Sequence, residues 1–162
     1  MDKKIIISGF ADEIDPQLDV QLKVVKDLGM EYICFTTKHH DGFCMWDTKY
    51  TDYSIMHTPY GKDVLKMLAD ACHKHGMGLS LYYSIPDWHH PNAYNPLSSH
   101  QIPPRDTDQP DMDAYVAFLK RQVTELLTNY GELFCVWFDG ACGEGPNGKK
   151  QEYDWASYYK LI

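Results

Sequence analysis

Apolar and polar positions alternate between two rhythms along this chain. Ile5-Ile6-Ile7 is a short continuous apolar run, the pattern of a strand buried on both faces. From Leu18 to Leu28, apolar residues recur at 18, 22, 25 and 28, the spacing of one helical face. Gly29 follows, where helices commonly end in a left-handed residue. Tyr32-Ile33-Cys34-Phe35-Thr36 then predicts a second strand. The cycle repeats. Asp63 is placed to cap a helix with Val64, Leu65, Leu68 and Cys72 on its buried side. Gly76 closes it, and Leu79-Ser80-Leu81-Tyr82-Tyr83 predicts the third strand. Asp111 is placed to cap a helix bearing Tyr115, Phe118, Leu119, Val123 and Leu126. Gly131 closes that one, and Leu133 to Phe138 predicts the fourth strand. A last helix is expected from near Tyr153.

Successive strand–helix units predict a parallel sheet joined by right-handed crossovers. Two α/β architectures fit, a (βα)8 TIM barrel or an open doubly wound sheet. Connections after helices are short, and those after strands are long: Thr37 to Lys62, Ser84 to Pro110, and Asp139 to about Glu152. The long loops all fall at the carboxyl ends of the strands, where both architectures keep their sites. A complete barrel takes about 250 residues. The 162 residues therefore read as one domain, residues 1–162, holding about half a barrel of four to five βα units. Two exposed parallel edges leave three alternatives: a truncated chain, an open α/β domain, or a homo-oligomer that completes the barrel.

The composition, 44% hydrophobic and 14% aromatic, is that of a globular domain. A formal net charge of -8 argues against nucleic acid as a partner, because phosphate-backbone binders carry a basic stripe. No stretch approaches about 18 apolar residues, so no membrane span is expected. The segment from Met1 to Ile5 lacks a signal peptide's apolar region and cleavage site, so the chain as given reads as cytoplasmic. Five cysteines, Cys34, Cys44, Cys72, Cys135 and Cys142, form no C-x-x-C pair and cannot all pair within the chain. Reduced thiols are expected, with Cys34 and Cys135 buried in apolar strands.

Candidate chemistry gathers after three of the strands. Thr37-Lys38-His39-His40-Asp41-Gly42-Phe43 follows the second. Adjacent histidines at a strand end point in different directions, so both line a pocket only where the backbone turns, and Gly42 provides for such a turn. A hydrogen-bonded His–Asp cluster that merely orders the loop, or a metal site, fits the same residues. The third strand runs on through Tyr83-Ser84-Ile85-Pro86-Asp87-Trp88. Aromatics with polar tips there suit sugars, stacking on C–H faces and bonding to hydroxyls, although Tyr82 and Trp88 could equally pack the barrel mouth. The fourth ends Trp137-Phe138-Asp139-Gly140. A carboxylate directly after a buried apolar strand is costly unless it is paired or works, and at a barrel strand's carboxyl end it reads as catalytic. A helix-capping role is the alternative, but no predicted helix starts there.

Together these segments resemble glycoside hydrolase family 29, the retaining α-L-fucosidases. The resemblance runs from about Asp19 to Tyr159 and includes Trp46, Tyr53, Thr58, Pro59 and Asp63 between the first two motifs. It implies a (βα)8-type catalytic barrel, a fucosylated oligosaccharide or glycoconjugate as substrate, and no metal or organic cofactor. It also implies Asp139 as the nucleophile, His39 and His40 as ligands of sugar hydroxyls, and Tyr82 and Trp137 as pocket walls. Tyr83 is a weaker candidate. The implied reaction is a double displacement through a covalent fucosyl-enzyme, with a second carboxyl of raised pKa as acid and base. Glu144 and Glu152 match no motif for that role, which is expected beyond the carboxyl terminus, so this chain is expected to hydrolyse fucosides only if the missing parts are supplied.

Ser8-Gly9-Phe10-Ala11-Asp12-Glu13-Ile14 instead resembles the opening of xylose-isomerase-like sugar isomerase and epimerase barrels. It supports a second reading, a metal-dependent sugar isomerase or epimerase with His and carboxylate ligands. A third reading is a non-catalytic carbohydrate-binding half barrel.

Overall fold

The computed structural model describes residues 5–7, 18–93, 105–140 and 152–162. Four strands, β1 (Ile5–Ile7), β2 (Tyr32–Lys38), β3 (Gly78–Ser84) and β4 (Cys135–Asp139), form one sheet in the order β1-β2-β3-β4. Every pairing is parallel. Helices α1 (Leu18–Asp27), α2 (Val64–His75) and α3 (Met112–Asn129) cross between them, and the short α4 (Trp155–Tyr158) follows β4. The order of strands and α-helices is the predicted one, and a 3-10 turn over Ile55–His57, within the loop after β2, was not expected. The sheet does not show the order reversal that marks a doubly wound fold among the described strands.

The helix ends obey their local chemistry. The Asp63 carboxylate accepts from the Lys66 amide at 2.8 Å, and Asp111 accepts from Ala114 at 3.0 Å. Each satisfies an amide that a helix start leaves without an intrahelical partner. Gly76 ends α2 in the left-handed region at φ 61°. Helix α1 stops at Asp27, one residue short of the apolar stripe, and Leu28 is consequently exposed. The last helix is a single turn that begins at Trp155, two residues after Tyr153.

The two faces of the sheet differ. Ile33, Phe35, Leu79, Leu81 and Tyr83 are buried on one face with Val64, Leu65 and Leu68 of α2 and with Tyr115, Leu119 and Val123 of α3. The long loop after β2 is tied to this core. Trp46 is buried and donates its Nε1–H to Glu125 at 3.2 Å, and Glu125 also accepts from the Lys49 amide at 2.9 Å. The opposite face carries the alternate residues, joined in register as Cys34–Ser80–Cys135 and Thr36–Tyr82–Trp137. Cys135 is exposed and Cys34 half-buried, not buried as expected. Their side chains stand on the face that no described helix covers.

Burial pushes the Cys44 thiol up to about 12 and the Cys72 thiol up to about 11. Both are therefore protonated and inaccessible, whereas Cys135 meets solvent. Iodoacetamide treatment of the native protein, followed by peptide mass mapping, should label Cys135 and spare Cys44 and Cys72 until denaturant is added. Protection of Cys135 would show that this face is covered in solution.

Candidate active site

The carboxyl ends of β2, β3 and β4 converge on one cluster, and a break in the pairing of β2 with β3 sets its geometry. Thr36 pairs with Tyr82, but Lys38 pairs with Tyr83, so the register slips between them. Slips of this kind re-aim side chains and recur beside active sites. Here Thr37 and Lys38, though adjacent, are both fully buried. Thr37 donates to the Tyr82 carbonyl at 2.8 Å. Lys38 turns its ammonium toward Asp87, 3.4 Å away, and over the Tyr83 ring, 4.5 Å from its centroid.

Asp87 is 2% exposed and organises the turn after β3. Its Oδ1 accepts from the His89 and His90 amides, each at 2.8 Å, while Oδ2 faces Lys38. The backbone of Gly42 passes directly over this carboxylate. A Cβ at Gly42 would lie 2.3 Å from Asp87 Oδ1, and the residue sits at φ 84°. Position 42 thus excludes a side chain on two grounds. The Trp88 amide donates to the His40 carbonyl at 2.7 Å and fastens the two loops together.

The predicted histidines follow from this frame. The Gly42 amide bonds back to the His39 carbonyl at 3.0 Å, closing the turn that lets both rings face one space. The His39 and His40 rings stack at 4.4 Å, and His39 stacks on Tyr82 at 5.8 Å with ring planes 9° apart. His40 Nδ1 is hydrogen-bonded to Ser84 Oγ, and its ring meets Trp88 edge-on at 5.5 Å. Asp139 ends β4 half-buried, and its Oδ2 accepts a hydrogen bond from the Tyr82 hydroxyl. Burial, then this bond, then the carboxylate's charge hold the Tyr82 hydroxyl well above the ordinary phenol range, so it stays a donor. The Ile85 amide donates to the Asp139 carbonyl at 2.9 Å.

Tyr82 thus joins Asp139 by a hydrogen bond and His39 by stacking, and His39 in turn stacks on His40. Trp137 lies opposite Tyr82 in register on the same face, with 59% of its surface exposed. Tyr83 is not at the site. It is fully buried on the helix side and donates to Gln122 at 2.7 Å. Glu144 lies outside the described residues, and Glu152 is exposed. Sequence reasoning passed over Lys38, Ser84 and Asp87 as working parts. A lysine inside an apolar strand was the available signal, since such a charge needs a buried partner.

Fold and site define a parallel βα-sheet protein whose acid, imidazole and phenol groups meet at the carboxyl ends of adjacent strands. The chain belongs to the α-L-fucosidase family, whose model matches residues 11–161. Alpha-L-fucosidase 1 of Arabidopsis thaliana is 38% identical over 144 residues, which are 87% of this chain and 25% of that protein. The chain thus spans about a quarter of that relative's length. Among solved structures, α-L-fucosidase isoenzyme 1 from Paenibacillus thiaminolyticus is 36% identical with a TM-score of 0.79, covering 92% of this chain and 36% of that one. A family 29 α-L-fucosidase from Bacteroides thetaiotaomicron, trapped as a covalent intermediate with 2-fluoro-fucosyl fluoride, is 33% identical with a TM-score of 0.65. It covers 76% of this chain and 27% of that one.

The family match begins at Ala11, ahead of Asp19, and so takes in most of the segment that resembled a sugar isomerase. Nothing in the comparisons supports the isomerase or the non-catalytic reading. Among the described residues no group of three or more His, Cys, Asp or Glu is placed to hold a metal ion.

The frame's dependence on Asp87 is measurable. Asp87→Ala leaves the Lys38 ammonium buried without its partner and should cost about 3–5 kcal/mol of stability. Equilibrium urea unfolding monitored by tryptophan fluorescence checks this, and a loss below about 1 kcal/mol would show that the pair does not hold the loops.

Proposed function

We propose that the chain carries the nucleophile side of a retaining α-L-fucoside hydrolase built on a (βα)8 barrel. The observation that carries this reading is the Tyr82 hydroxyl donating to the Asp139 carboxylate at the rim of β4, beside the stacked His39 and His40. Asp139 attacks the anomeric carbon while the bond to the leaving-group oxygen breaks, and that oxygen takes a proton from a second carboxyl. Water then attacks the same carbon, gives up its proton to that carboxyl and frees Asp139. No described residue is assigned the second carboxyl's role.

Tyr82 keeps one oxygen of Asp139 hydrogen-bonded, which leaves the other to attack. His39 and His40 hold sugar hydroxyls, and Trp137 offers an indole face to the sugar's C–H groups. The substrate is a fucosylated oligosaccharide or glycoconjugate, and no metal or organic cofactor enters the chemistry. Two observations support the barrel: four strands in consecutive parallel order, and an open face whose exposed Trp137 and Cys135 suit a barrel interior. Family membership and the covalent intermediate trapped in the Bacteroides relative support the double displacement.

Hydrolysis of nitrophenyl α-L-fucoside is the test. Asp139→Asn should lower kcat by roughly 10⁴- to 10⁶-fold, the span seen on removing single members of a covalent catalytic unit. Activity that survives the change overturns the assignment. Tyr82→Phe, which removes one hydrogen bond to a charged acceptor, should lower kcat/KM roughly 10- to 100-fold.

A further inference from the structure

We propose that Ser84 is a positioning residue that holds His40 in the Nδ1–H tautomer and so makes its Nε2 a hydrogen-bond acceptor toward the sugar. The inference rests on the preceding reading for the sugar but not for the tautomer.

It follows from counting protons. Ser84 is fully buried, and its Oγ lies 3.0 Å from the Pro86 carbonyl oxygen. A carbonyl only accepts, so the single hydroxyl proton of Ser84 is committed to that bond. The same Oγ is hydrogen-bonded to His40 Nδ1. With its proton spent, Oγ can only accept there, and Nδ1 must carry the hydrogen. In the neutral ring Nε2 then bears the lone pair. Pro86 is well placed to impose this, because its own ring leaves it no amide to offer in exchange.

The ring has little freedom to escape. It is stacked on His39 and edge-on to Trp88. On another side it rests against Gly140, where a Cβ would come within 2.6 Å of His40 Cε1 and 2.8 Å of Pro86 Cγ and Cδ. The residue directly after Asp139 therefore seats the imidazole, and Gly140, Pro86, Ser84 and His40 form one packed unit. An acceptor Nε2 selects a ligand hydroxyl that donates. A sugar hydroxyl bonded this way keeps its oxygen lone pairs for other donors.

Long-range ¹H–¹⁵N correlation of histidine-labelled protein in mildly alkaline buffer reads the tautomer without sugar or turnover, with His40→Gln used to assign the signal. His40 should show a protonated Nδ1 and an unprotonated Nε2, the reverse of the form that free imidazole side chains favour. Ser84→Ala should return it to Nε2–H, whereas Ser84→Thr, which keeps a hydroxyl, should retain Nδ1–H. An Nε2–H signal in the unaltered protein, or an Nδ1–H signal that survives Ser84→Ala, overturns the proposal. If Ser84→Ala fails to fold, the unaltered protein and Ser84→Thr still decide it. With nitrophenyl α-L-fucoside, Ser84→Ala should lose roughly 5- to 100-fold in kcat/KM. Unchanged kcat/KM alongside a switched tautomer overturns the acceptor role of Nε2. The expected tautomer in an unaltered protein that neither hydrolyses the fucoside nor binds fucose by calorimetry refutes the hydrolase reading alone.

Discussion

The site depends on one charge placed where charges are expensive. The Lys38 ammonium, wholly removed from solvent, faces Asp87 and the Tyr83 ring at the top of β2 and β3. Removing both ions from water costs several kcal/mol each, which their attraction offsets only if the remaining hydrogen-bonding capacity is also used. Asp87 uses it on the two amides of the next turn. The pair therefore does more than join two strands. It gives the loop after β3 its shape and brings Trp88 against His40, while Gly42 closes over the carboxylate from the other loop.

Above that frame, each side chain of the site is oriented by a neighbour with few options. Tyr82 has one hydroxyl proton, and it points at Asp139. Ser84 has one, and it points at Pro86. Burial of the phenol reinforces the first choice, since ionising it would place a second negative charge beside the carboxylate. The result is an acid rim in which donors and acceptors are assigned before any ligand arrives. Such preorganisation lets a site act without rearranging its own dipoles.

The two faces of the sheet divide the work. One is a conventional core of aliphatic and aromatic side chains under α2 and α3, and the loop after β2 is pinned to it through Trp46 and Glu125. The other carries small, polar and aromatic groups, with Trp137 exposed on β4. Side chains alternate along a strand, so each strand that buries a residue among helices must present the next one to the opposite face. Asp139 and Tyr82 belong to the same series as Cys34 and Cys135, and their partial exposure has the same cause.

Much of this was legible in the residues alone. The caps at Asp63 and Asp111, the glycine after α2 and the stripes of α2 and α3 are local properties, governed by spacing and by amides a few residues away. The clustering of Asp139, His39, His40 and Tyr82 could be read too, because parallel strands put their carboxyl ends on one side. Decisions that depend on distant neighbours could not. The exposure of Cys135, the inward turn of Tyr83 and the slip that buries Thr37 beside Lys38 are set by which strands pair and which face the helices take. The contact of Ser84 with His40, and with it the proton on His40, exists only where the end of β3 lies beside the turn after β2. Spacing along a chain fixes what a residue can reach locally, whereas a proton's place depends on what the fold brings opposite it.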